Sequence, residues 1–286
     1  VTVSDVDVPP AHPVSLTAQW MAAERARETA RPDALFWDPY AAALAGPEGE
    51  RLLARMSAPG DGTGMTVPIR TRFFDDALLR LLADGQVRQV VVLAAGMDAR
   101  AFRLPLPAGV RFFELDRPEV LAVKEDRLAG LGARASVDRT LVRADLSGDW
   151  AAALVAAGLH DSATVWLVEG LLMYLDAGQI DRLLGTIGGL AHAGDALLTD
   201  FVGRSLLTFP PFAPWLRKFT DEGMPMRFGT DDPEALLAGH GWDAQVTRYG
   251  DDGAHFGRWT WPPVPRGDNR WPQSYLVKAH LAVTDG

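Results

Sequence analysis

Between Gln89 and Asp116 the chain runs through an apolar stretch, Val90–Leu93, then a turn of small residues, Ala94-Ala95-Gly96. A short linker follows, and a second apolar stretch that ends on Asp116. No other segment restricts the fold as strongly. Short, wholly apolar strands belong to a parallel sheet covered on both faces. Small residues in the turn let the backbone come close to a ligand. Asp116 lies 20 residues after Gly96, where an acidic side chain accepts hydrogen bonds from both hydroxyls of a ribose. The segment therefore predicts a nucleoside pocket at the ends of two adjacent parallel strands.

The texture on either side agrees. Further strands are predicted at Thr140–Ala144, Ala163–Val168 and Ala196–Phe201, with helical patterns at Pro118–Leu128, Trp150–Ala157 and Ala177–Ala191. This alternation predicts an α/β fold with a mostly parallel, Rossmann-like sheet. Residues 1–85 read as an N-terminal helical cap, with helices at Leu16–Arg31, from Asp38-Pro39, and at Arg70–Leu82, after a Pro-rich surface segment over residues 1–15. Residues 86–286 read as the catalytic domain. Within it, residues 203–230 are rich in Pro and aromatics, show no clean period and follow a strand end, so they read as a lid insertion. A helix at Asp231–Gly239 and a strand pair, Asp243–Tyr249 with Tyr275–Val283, close the chain.

Composition narrows the chemistry. A formal net charge of -9 disfavours nucleic acid and anionic membranes as partners, and the absence of cysteine excludes disulfides and thiol catalysis. No apolar window of about 18 residues suggests a membrane span, and the first residues do not resemble a signal peptide. The expected location is the cytoplasm. No metal-ligand cluster is apparent.

Which nucleoside is bound follows from the turn. Ala94-Ala95-Gly96-Met97-Asp98-Ala99 has one of the three glycines of a dinucleotide turn, and Asp98 would repel a pyrophosphate. Acids recur at successive strand ends, Asp98, Asp116, Asp145 and Glu169. That row suits a cationic sulfonium nucleoside, S-adenosyl-L-methionine, better than NAD. Each acid also has a plainer reading. Asp98 and Asp116 are helix-cap candidates, with Glu114 then the alternative ribose acid, and Asp145 is a turn residue.

The stretches RTRFFDDAL, VVVLAAGMDARAFRL, FFELDRPEVLAVKEDRL, RADLSGDW and VEGLLMYL occur in this order. Together they resemble the leucine carboxyl methyltransferase family of S-adenosylmethionine-dependent O-methyltransferases, in its bacterial branch. The resemblance implies a class I methyltransferase fold: a seven-stranded sheet with one antiparallel strand, a helical cap and a lid over the acceptor. It implies that Asp116 binds the ribose and that Asp145 and Leu146 flank the adenine. Arg70 would grip the methionine carboxylate, Glu169 would lie near the methionine moiety, and Tyr174 would face the acceptor. Arg25 or Arg27 would be the cap's basic residue. Ala94 stands where the family usually has glycine.

The acceptor is expected to be a carboxylate or hydroxyl of a small molecule or peptide terminus, a natural product, methylated by in-line transfer; the short, aromatic lid favours a small molecule over a protein-phosphatase tail. A carboxylate needs only positioning, whereas a phenol or alcohol benefits from a general base. His255, His240 and His12 are the base candidates, His255 the best placed, with Arg258 and Arg70 available to orient an acidic acceptor. The tryptophans and phenylalanines of residues 209–219 and 256–271 could form an aromatic acceptor wall. A nicotinamide-dependent oxidoreductase and a non-catalytic nucleoside-binding protein are the alternatives.

Overall fold

The computed structural model describes residues 13–56, 63–262, 264–268 and 270–282. Helices α1 (Pro13–Thr29), α2 (Ala41–Met56) and α3 (Thr63–Leu82) precede the first strand. Strands β1 (Gln89–Leu93), β2 (Arg111–Asp116), β3 (Asp138–Arg143), β4 (Thr164–Val168) and β5 (Ala196–Val202) are mutually parallel. They alternate with α4 (Arg100–Arg103), α5 (Pro118–Gly130), α6 (Trp150–Ala156) and α7 (Ala177–Leu190). After β5 come α8 (Arg204–Thr208), α9 (Ala213–Asp221) and α10 (Pro233–Ala238), then β6 (Trp242–Arg248) and β7 (Ser274–Leu281). The sheet order is β3-β2-β1-β4-β5-β7-β6, and β7 runs antiparallel to both of its neighbours. The seven-stranded sheet with one reversed strand is thus as expected.

Alternation along each strand sends side chains to two cores. Val91, Leu93, Phe113, Leu115, Trp166 and Val168 face a core completed by α6 and α7. Val90, Val92, Phe112, Val165 and Leu167 face one completed by α3, through Ile69, Phe74 and Leu78. Each fully buried side chain of this size contributes about 1.5–3 kcal/mol. With both faces covered, β1 and β4 are buried at every residue, which is why they read as continuous apolar runs.

Residues 203–230 differ from their sequence reading. They hold α8, a 3-10 turn at Pro210–Phe212 and α9. Three of the four prolines that suggest irregular chain, Pro210, Pro211 and Pro214, stand in the first turns of these short elements, where a missing N–H costs nothing. Residues 1–12 and Val283 lie outside the described residues.

Candidate functional site

The C-terminal tips of β1, β2, β3 and β4 open into a cavity of about 530 Å³, within the usual size for small-molecule sites. All nine cofactor-site residues expected from the sequence border it: Arg70, Ala94, Ala95, Gly96, Asp98, Asp116, Asp145, Leu146 and Glu169. Tyr174 borders it too.

The turn after β1 is shaped by backbone. Gly96 has φ +47°, and a Cβ there would lie 2.8 Å from the Cβ of Ala18 on α1, so the first helix rests directly on the turn. Ala94 has φ +53°, a left-handed conformation that costs a non-glycine residue roughly 1–2 kcal/mol. That explains why glycine suits this position better. The Gly96 N–H donates to Asp116 Oδ2 at 2.7 Å, and the Arg117 N–H donates to Asp116 Oδ1 at 2.7 Å. Each oxygen keeps a lone pair for a further donor. Burial raises the Asp116 carboxyl above its ordinary value, against the pull of those two N–H groups. Glu114, the alternative ribose acid, is not on the cavity lining: Lys124 Nζ holds it at 2.6 Å and Arg139 Nη2 at 2.7 Å. Asp145 makes the turn expected of it, accepting from the Ser147 N–H at 2.8 Å, and still borders the cavity.

The acids do not form a bare anionic row. Asp98 Oδ1 accepts from the Arg100 N–H at 2.6 Å, and the Arg100 side chain pairs with Asp98 Oδ2. Burial pushes the Asp98 carboxyl up, but Arg100, Lys124 and Arg103 together outweigh it and hold it at about 2. Arg100 is only 3% exposed and also reaches Asp75 at 2.8 Å and Glu169 Oε2 at 2.8 Å. Arg103 closes the network on Asp75 at 2.6 Å. Arg70 donates to Glu169 Oε1 at 2.9 Å and to Asp200 Oδ2 at 3.2 Å. Burial would raise the Glu169 carboxyl, but Arg100 and Arg70 hold it below the usual value. Asp200 is raised by burial, which Arg70 only partly offsets, and accepts from the Gly170 N–H at 2.6 Å. Burial pushes the Tyr174 phenol well above its ordinary value, so it stays protonated at neutral pH.

Sequence reasoning missed Arg100, Arg103, Asp75 and Asp200. It left Arg25 and Arg27 open, and the structure places Arg25 on the lining, donating to Asp38 Oδ2 at 2.9 Å and to the Met97 carbonyl at 2.5 Å. Two expectations are corrected. His255 is exposed and not on the cavity lining, and its Nδ1 accepts from the Gly257 N–H at 3.0 Å. Arg258 is likewise away from the lining, tied to Glu28 at 2.7 Å and Asp33 at 2.7 Å, so it fastens its loop to the end of α1. His240 pairs with Asp181 at 3.4 Å and is also absent from the lining, while His12 lies outside the described residues. The aromatic wall is not found either. Phe212, Trp215 and Phe219 stack on one another and on Trp20 of α1, and Tyr174 is the lining's single aromatic residue among the described ones. Among the described residues no group of His, Asp or Glu side chains is placed to hold a metal, and no helix is long and apolar enough to cross a membrane.

The residues fit a nucleoside carrying polar groups. Asp116 has lone pairs to spare beside the cavity. Arg117 Nη2, on the same lining, is buried without a hydrogen-bond partner among the described residues, a need that a bound polar ligand would meet.

Known proteins resemble the chain along most of its length. The sequence profile described as leucine carboxyl methyltransferase matches residues 18–188. A Frankia alni protein, provisionally named an S-adenosyl-L-methionine-dependent methyltransferase, is 44% identical over 247 residues, covering 82% of this chain and 85% of that one. A Mycolicibacterium gilvum protein with the same provisional name is 38% identical over 297 positions, covering 94% and 95%. Among solved structures, a duf574 family protein from Streptomyces avermitilis superposes with a TM-score of 0.60 at 16% identity, covering 92% of this chain and 96% of the other. A protein from Thermobifida fusca, provisionally named a methyltransferase, gives 0.59 at 14% identity, covering 85% and 93%. The structures speak for the fold and the sequences for the ancestry: the chain belongs to the leucine carboxyl methyltransferase family.

Proposed function

We propose that this S-adenosylmethionine-dependent methyltransferase makes methyl esters, with a carboxylate of a small molecule as acceptor and residues 203–230 as the lid over it. One observation carries the choice of carboxylate. Among the described residues no histidine, lysine or cysteine borders the cavity. Its phenol, Tyr174, is held protonated, and its carboxylates already serve Arg70, Arg100, Ser147 and backbone N–H groups. A site without a free base suits an acceptor that is ionised already.

S-adenosylmethionine, when bound, would supply a methyl group on positive sulfur for in-line transfer to a carboxylate oxygen, with the S–C electron pair left on sulfur and no proton to move. Asp116 would hold the ribose hydroxyls, with Asp145 and Leu146 beside the base. Arg25 and Arg70 would serve the methionine end. Tyr174, protonated, would donate a hydrogen bond that orients the acceptor. The packing of α1 on the Gly96 turn helps keep water from the reacting atoms. Family membership leaves the nicotinamide alternative without ground.

The test uses methyl-labelled S-adenosylmethionine with a panel of small acids and phenols, followed by mild alkali. Ester products release volatile methanol. Alkali-stable methyl ethers as the sole products would overturn the carboxylate reading and keep the methyltransferase.

A further inference from the structure

Two cations on the cavity wall have no task in ester formation as described. Arg25, Arg70, Arg100, Arg103 and Arg117 each pair with a carboxylate. Arg182 and Arg227 border the same cavity and make no ion pair among the described residues. Arg227 is anchored to the stretch that carries Tyr174, and Arg182 stands on the helix that follows it. The Arg227 N–H donates to the Met173 carbonyl at 2.7 Å. On α7, the Arg182 guanidinium folds back along the helix toward Asp176: its Nη1 lies 3.5 Å, and Asp176 Oδ1 3.4 Å, from where a Cβ on Gly178 would stand. Both side chains are exposed, which places them at the cavity's open side.

Two guanidinium groups outside any ion pair among the described residues, on a chain of net charge -9, are a local reversal of sign. Such a reversal at a cleft mouth concentrates anions there. The forked donors of arginine match a carboxylate in two-point contact. The lining also includes Met21, Leu175, Met224 and Pro225, which are apolar, and the methionine thioethers adapt to variable shapes. The cavity thus offers a phenol, an apolar stretch and a cationic rim.

We propose that the acceptor carries a second carboxylate, separated from the reacting one by an apolar body and bound at the mouth by Arg227 and Arg182. The proposal rests on the ester-forming reading and adds the acceptor class to it: a dicarboxylic acid methylated at one end. The distal carboxylate would fix the direction in which the acceptor enters, so that only one end reaches the methyl donor.

The experiment is calorimetry on the full chain loaded with S-adenosylhomocysteine. Adipate, suberate and sebacate are compared with hexanoate, octanoate and decanoate. The dicarboxylates should bind roughly ten- to hundredfold more tightly than the monocarboxylates of equal length, as expected for a charge-assisted pair. The preference should collapse in Arg227→Gln and narrow in Arg182→Gln, while S-adenosylhomocysteine still binds. Equal affinity for the two series, binding of neither, or an unchanged preference in both variants overturns the proposal. S-adenosylhomocysteine binding is measured first in the same cell, and its failure would overturn the cofactor site and this proposal together. Ester formation from a monocarboxylic acid without any dicarboxylate preference would leave the function standing and remove only the second carboxylate.

Discussion

The two sides of the cavity are made in different ways. On the side of β1, β2 and β3, the lining comes from the turn at Ala94–Asp98 and from strand tips that follow one another in the sheet. Backbone N–H groups do most of the holding there, as at Asp116. On the other side, Arg70 of α3, Glu169 after β4 and Asp200 of β5 meet from positions up to 130 residues apart, held by opposite charges. A turn geometry can be written into a few adjacent residues, whereas a buried ion network exists only after the whole sheet has formed. Arg100 is where the two sides join, because it binds both Asp98 and Glu169.

The contrast can be tested at its junction first. Arg100→Ala would leave Asp75, Asp98 and Glu169 short of a partner, and removing one member of a buried ionic set costs about 3–5 kcal/mol. Urea unfolding should show that loss. A change below about 1 kcal/mol, the scale of an exposed pair, would mean that the network does not hold the two sides together. Asp116→Asn tests the strand-tip side alone. It should weaken S-adenosylhomocysteine binding by about tenfold to a hundredfold, the effect of one or two charge-assisted hydrogen bonds, and cost about 1–3 kcal/mol of stability, because the amide turns its NH2 toward one of the two backbone N–H groups that Asp116 accepts from. The pH profile sharpens this. Only the ionised carboxylate accepts from both ribose hydroxyls, so affinity should fall as pH drops through the Asp116 pKa. Because burial raises that pKa, the fall should begin at less acidic pH than an ordinary aspartate near 4 would give. The Asn variant should lose this limb, and a wild-type profile that stays flat to pH about 4 would remove Asp116 from the role. Ala94→Gly is the smallest effect. Relief of the left-handed φ should raise stability by about 1 kcal/mol, less the added freedom of glycine in the unfolded chain. A clear loss of stability would show that the Ala94 methyl packs better than its backbone strain implies.

The strand-tip side was legible because its signals are local. An apolar run, small residues and an acid at fixed spacing sufficed for Gly96 and Asp116. The network side was only partly so. Asp200 had a signal, an acid inside a strand otherwise predicted as buried, which is costly unless paired. Arg100 and Arg103 sit on a four-residue helix, too short to show a period. His255 and Arg258 were placed wrongly because a loop has no periodicity to give direction, and the partners of Arg258, Glu28 and Asp33, are more than 220 residues away in sequence. The helices of residues 203–230 went unseen because proline in a first turn looks the same in sequence as proline in a break.

The contact between Gly96 and Ala18 has a consequence for how such sequences can drift. Gly96 cannot grow toward α1 without meeting the Ala18 methyl, and its φ of +47° penalises any side chain there in its own right. Ala18 has one smaller replacement, glycine, at about 1 kcal/mol of helix propensity. Neither partner has room to compensate for a change in the other. A first helix and a cofactor turn so placed should diverge as a unit: descendants of this chain can rebuild the acceptor side freely, while this small-residue contact stays a fixed point.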